Sequence, residues 1–64
     1  MTFSEKCKYV REKLFLSQQA FAKELGVAFA TVNRWEKGIC APNYKAKKVF
    51  HEFCIKNNID LEGK

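Results

Sequence analysis

The sequence predicts an all-α chain, a compact bundle of four short helices or a five-helix bundle cut short. Three observations lead there. Apolar positions recur three and four residues apart along nearly the whole chain, and no segment keeps the period of two that a strand requires. Residues that cap helices stand where the apolar runs begin, and glycines stand where they end. The 64 residues leave room for one core only. That length excludes a large multidomain enzyme and a doubly wound nucleotide fold, because one βαβ unit alone takes about 30 residues. Apolar residues make up 47% of the chain and aromatics 14%. This is enough for a packed core and excludes intrinsic disorder.

Phe3, Cys7, Val10 and Leu14 mark one face of a first helix, from about Glu5 to Leu14. Thr2 and Glu5 have capping-box spacing at its start, and Arg11 and Lys13 suit the dipole at its end. Ser17 is a good N-cap for a second helix, Gln18 to Leu25, whose buried stripe is Phe21, Ala22 and Leu25. Gly26 follows where helices end in a left-handed residue. A third helix runs from Phe29 to about Lys37 with Val32 and Trp35 inward, and Gly38 ends it. Trp35 is read as core from its phase with Val32.

Ile39 to Pro42 form a loop. Asn43 caps a fourth helix, about Tyr44 to Lys56, with Ala46, Val49, Phe50 and Phe53 on its inner face. Asn57-Asn58 stops it, and the tail from about residue 58 is expected to fray because Ile59 to Lys64 lack periodicity. No internal repeat or low-complexity tract breaks the chain, so residues 1–64 are read as one domain.

Twelve Lys and Arg stand against seven Asp and Glu, a formal charge of +5. This balance favours an anionic partner such as nucleic acid or an acidic membrane surface. The longest apolar run, Val27 to Ala30, is far too short to span a bilayer. Glu5, Lys6, Lys8, Arg11, Glu12 and Lys13 leave no place for a secretory leader. The expected location is the cytoplasm. There the three cysteines, none in a CxxC pair, are expected as free thiols.

Cys7, Cys40, Cys54 and His51 are too widely spaced for a usual zinc site; only His51 and Cys54 share a helical face. Cys7 lies on the apolar stripe of the first helix and is read as a small hydrophobe. A Cys–His nucleophile pair would need a cleft for which this chain has little room. Neither a metal, nor another cofactor, nor catalysis is expected.

The informative stretch is Ser17 to Gly38. Two short helices are joined by a tight connection within Leu25-Gly26-Val27-Ala28. A helix-turn-helix needs this closeness, with its helices crossing steeply around a glycine turn. Gly26 falls where a side chain would clash, and Ala22 lets the third helix approach. Val27 and Val32 plug the angle.

Leu16-Ser17-Gln18-Gln19-Ala20-Phe21-Ala22-Lys23-Glu24-Leu25-Gly26-Val27 resembles the opening of the phage repressor/Cro-like (XRE-like) helix-turn-helix domains. Thr31-Val32-Asn33-Arg34-Trp35-Glu36-Lys37-Gly38, with Pro42 four residues on, resembles their second half. The resemblance covers roughly Phe3 to Phe53. It implies a four- or five-helix domain that binds duplex DNA in the major groove.

At about 100° per residue, Val32 and Trp35 define the buried side of the third helix. Ala30, Asn33, Arg34 and Lys37 then face away from the core, with Phe29 on the flank. The expected base-reading set is Phe29, Ala30, Thr31, Asn33 and Arg34. Arg34 can fork onto a guanine edge, Asn33 can pair with adenine, and Phe29 and Ala30 can press on thymine methyls. In the resembling repressors the first two positions of this helix and the one matching Arg34 read bases. The expected phosphate set is Ser17 and Gln18 at the start of helix two, Lys37, and Asn43 and Tyr44 at the start of helix four. The resemblance gives Gln18 a clamp on the backbone and pairs Glu36 with Arg11. Lys45, Lys47 and Lys48 are read as a solvated face.

Two positions depart from the pattern. Phe29 and Ala30 lack hydrogen-bonding side chains where relatives often carry Gln or Ser. Phe15 replaces a residue that is usually small or Gly; it is expected to be exposed and open to a protein partner. The function expected is a bacterial or phage transcriptional regulator on double-stranded DNA. A homodimer on DNA is allowed by the sequence but not indicated by it. A second class of function stays open: a protein-interaction or tethering module such as an antitoxin or a subunit of a DNA-modification system.

Overall fold

The computed structural model describes residues 1–59 and 61. Among them the elements are four helices: α1 (Phe3–Lys13), α2 (Gln18–Leu25), α3 (Phe29–Lys37) and α4 (Tyr44–Lys56). Helix α1 begins two residues earlier than expected. The Thr2 hydroxyl accepts from the Glu5 N–H at 3.2 Å, and the Glu5 carboxylate accepts from the Thr2 N–H at 2.9 Å. With Thr2 as the cap of a complete capping box, Phe3 becomes the first helical residue.

All four helices end by the same device. A backbone N–H just past the end reaches back to a carbonyl five residues earlier: Leu16 to Arg11 at 3.0 Å, Val27 to Ala22 at 3.0 Å, Ile39 to Arg34 at 3.0 Å and Ile59 to Cys54 at 2.8 Å. The residue before each donor is left-handed: Phe15 (φ 57°), Gly26 (72°), Gly38 (74°) and Asn58 (57°). Such an end turns the chain sharply and satisfies carbonyls the helix leaves open. Glycine adopts this conformation freely and asparagine tolerates it, whereas phenylalanine is strained there. At Gly26 an added Cβ would meet nothing within 4 Å, so the left-handed backbone and not the expected clash calls for glycine.

This device corrects the expectation of a tail frayed from about residue 58. Asn58 is fixed in the turn, Ile59 is buried at 7% exposure, and Leu61 packs against the core. A lone Ile after a helix stop has no periodicity to reveal it, but the turn folds it back onto Cys54. The same expectation for residues 60 and 62–64 lies outside the described residues.

One cluster of buried residues makes the core. It takes Cys7 and Val10 from α1, Phe21, Ala22 and Leu25 from α2, Val32 and Trp35 from α3, Phe50, Phe53 and Cys54 from α4, and Ile59. Edge-to-face rings run through it from Trp35 to Phe3 (5.3 Å), Phe50 (5.0 Å), Phe21 (6.4 Å) and Phe53 (5.5 Å), so one aromatic chain links all four helices. The inner face of α4 differs from the expected one at both ends. Ala46 and Val49 are only half-buried because they line an open groove between α4 and the α2–α3 turn. Cys54, off the expected stripe, is buried where Ile59 folds back.

Candidate nucleic-acid interface

Helix α3 is oriented by its inward residues. Val32 is fully buried and Trp35 nearly so, which turns the remaining faces outward. Phe29 is 48% exposed, and Ala30, Arg34 and Lys37 are exposed. Thr31 and Asn33 are half-buried. Thr31 lies in the groove of about 600 Å³ that α3 shares with the start of α4, along with Arg34, Asn43 and Lys45. The structure thus brings Phe29, Ala30 and Arg34 onto an open face and sets Thr31 and Asn33 at its margins.

The open face is held by a partly buried polar network at the far end of α3. The Glu36 side chain is 4% exposed, and its carboxylate accepts from Arg11 Nε at 2.6 Å and Arg11 Nη2 at 3.0 Å. It also accepts from Gln18 Nε2 at 3.1 Å. Arg11 Nη1 donates to the Leu16 carbonyl at 3.0 Å, and the Ser4 hydroxyl donates to the Glu36 carbonyl at 2.6 Å. The side-chain hydrogen bond to Glu36 raises the Arg11 pKa above its ordinary value. One carboxylate therefore ties α1, α2 and α3 together. The forked guanidinium supplies two donors in the geometry a carboxylate requires.

Helix N-termini supply the free backbone donors. Ser17 Oγ accepts from the Ala20 N–H at 3.0 Å, and Asn43 Oδ1 accepts from the Ala46 N–H at 2.8 Å. Both side chains are thus occupied as caps. The Phe21 and Lys47 N–H groups bond the Ser17 and Asn43 carbonyls. Gln18 and Gln19 at the start of α2, and Tyr44 and Lys45 at the start of α4, keep open N–H groups. Helix α3 has no side-chain cap at Ala28, which leaves the Phe29 and Ala30 N–H groups open as well. Gln18 gives one amide hydrogen to Glu36 and retains the other. The ion pair among the described residues is Arg11–Glu36, so Arg34, Lys37 and Lys45 carry uncompensated charge.

Sequence reasoning missed Ser4 here and set Lys45 aside with Lys47 and Lys48 as a solvated face. Ser4 carries no signal that would place it on the end of α3. Lys45 is signalled only by standing two residues after a cap, and the fold sets it beside Arg34, whereas Lys47 lines an apolar groove on another side with Lys6 and His51. His51 and Cys54 share that groove, but Cys40 is exposed elsewhere. No group of three metal-capable side chains forms among the described residues.

A protein-family model described as helix-turn-helix matches residues 8–46, more than half of the chain. The chain belongs to the helix-turn-helix family. The match runs from α1 through the whole α2–turn–α3 unit into the first turn of α4, and the family is one of XRE-like DNA-binding domains. No curated protein and no solved structure matches the chain. No helix among the described residues is long and apolar enough to cross a membrane.

Proposed function

We propose that the helix-turn-helix domain recognises specific duplex DNA by laying α3 in the major groove, and that it acts as a transcriptional regulator in a bacterial or phage-infected cytoplasm, without catalysis. The observation that carries this reading is the outward face of α3: Phe29, Ala30 and Arg34 are free of internal partners, while Glu36 on the same helix is locked to α1 and α2. A helix so held can present a rigid row of side chains to base edges. Arg34 reads a guanine through its O6 and N7, with Asn33 and Thr31 assisting from the margins.

Open backbone amides at Gln18, Gln19, Tyr44 and Lys45 hold phosphates on either side, helped by the second amide hydrogen of Gln18 and by Lys37. Ser17 and Asn43 contribute by capping, which aims those amides. The exposed Phe15 favours an additional protein partner, since nothing inside the domain uses its ring. If it serves only that role, its removal leaves DNA affinity unchanged.

The test is the salt dependence of binding to duplex DNA. With about four to six phosphate contacts, the log–log slope should be about −4 to −5 per domain. An affinity independent of salt would remove the backbone contacts on which this reading rests. The stoichiometry in the same titration decides whether two copies bind together.

A further inference from the structure

We infer that the domain reads C5-methyl groups: its site holds a thymine or a 5-methylcytosine in the base step beside the guanine taken by Arg34. The inference rests on the duplex-DNA reading of α3. The first turn of α3, which enters the groove most deeply in that reading, presents Phe29 and Ala30. Neither side chain carries a donor or an acceptor. Thr31 and Asn33, which do, are half-buried at the margins, leaving Arg34 as the exposed hydrogen-bonding reader. Ala28 adds no polar cap to this turn.

An apolar side chain set against the polar edge of adenine, guanine or cytosine leaves that edge dry and unpaired, which disfavours those bases there. The thymine methyl is the part of the major-groove surface that such a side chain fits. Ala30 and Arg34 are four residues apart, so their Cβ atoms lie about 5 to 6 Å apart on one face. That distance spans between one and two base-pair rises of about 3.4 Å. A methyl under Ala30 therefore adjoins the guanine under Arg34, and Phe29, the residue before Ala30 in the same turn, covers that methyl from the side. 5-Methylcytosine carries its methyl at the same C5 position as thymine, so methylation of a cytosine beside this guanine should improve the site.

The experiment uses the full chain and three random duplex libraries: one natural, one with uracil replacing thymine, and one with 5-methylcytosine replacing cytosine. The natural library should enrich a thymine beside a guanine, and the methylated library should also accept 5-methylcytosine there. On the enriched duplex, replacing that thymine by uracil should lower affinity about fourfold per methyl lost, from about 0.8 kcal/mol per buried carbon. Phe29→Gln, which replaces the apolar ring by a helix-compatible side chain with a polar end, should bring the thymine-to-uracil ratio close to one while far-UV circular dichroism shows the helices intact. Equal binding of the thymine and uracil duplexes by the unmodified chain overturns the inference and leaves DNA binding standing. Failure of all three libraries to enrich any sequence, with no binding to bulk duplex, overturns both.

Discussion

Removing the guanidinium from Arg11 should come close to unfolding the domain. In Arg11→Met the Glu36 carboxylate, 4% exposed, loses both bonds from the guanidinium and keeps only the Gln18 amide. Stranding one charge of a buried pair costs about 3 to 5 kcal/mol. Arg11 is itself 17% exposed, so water reaches part of the site and the lower end, about 3 kcal/mol, applies. At about 0.05 to 0.15 kcal/mol per residue, the whole domain has roughly 3 to 10 kcal/mol to lose. With a urea m-value of about 1 kcal/mol/M, the midpoint should fall by roughly 3 M. The double variant Arg11→Met/Glu36→Met removes both charges and frees the half-buried Gln18 amide and the Leu16 carbonyl, so it should recover to within about 1 to 2 kcal/mol of the unmodified chain. The assay is urea unfolding of the single and double variants by circular dichroism. A loss below about 1 kcal/mol in Arg11→Met, or a double variant as unstable as the two singles summed, would refute the claim that this pair holds α3 in place.

The helix ends and the thiols give further tests. Phe15 is 95% exposed at a φ of 57°, so Phe15→Gly should stabilise by up to about 1 kcal/mol as backbone strain is relieved with no packing lost. Gly38→Ala should destabilise by about 1 kcal/mol although nothing lies within 4 Å of the added methyl, because the penalty is conformational; a pair of thermal melts checks both. A thiol reagent should titrate the exposed Cys40 at once and the buried Cys7 and Cys54 only on unfolding. Burial, chiefly, pushes the Cys7 thiol from 9.0 to about 12, so between those values the unfolded chain gives up its proton first. Stability is therefore full below pH 9 and falls as pH rises through this window, and Cys7→Ala should flatten that fall in alkaline urea titrations.

Much of the scaffold was readable from local chemistry. Ser17, Asn43, Gly26 and Gly38 mark helix boundaries because a cap or a left-handed turn restricts the residue types it accepts. Val32 and Trp35 fix the phase of α3, and with it the outward face. What was hidden depended on tertiary placement. Ile59 carries no period and is buried by the turn at Asn58. Phe15 gives no hint that it occupies a glycine-like turn except by resemblance. The occupation of the Gln18 amide by Glu36 requires α2 and α3 to be docked, whereas the Ser17 and Asn43 side chains are taken by their own helices, as their capping positions imply. The consequence for the proposed interface is specific: with the Ser17 and Asn43 side chains taken as caps, the proposed phosphate contacts at these two helix starts rest on the open backbone amides beside them.

In the proposed complex Arg34 reads a base while its neighbours hold the backbone, and a paired titration tests this division of roles. Arg34→Ala and Lys37→Ala are each titrated on a selected duplex and on a scrambled one at several salt concentrations. Both positions are exposed and outside the Glu36 network, so neither change should disturb the fold. Arg34→Ala should weaken the selected duplex by about 1 to 3 kcal/mol and relax preference at one base pair, with a much smaller effect on the scrambled duplex. Lys37→Ala should weaken both duplexes alike and reduce the salt slope by about one. Equal losses on both duplexes from Arg34→Ala would make Arg34 a phosphate contact, and no loss from either variant would contradict DNA reading by α3 altogether.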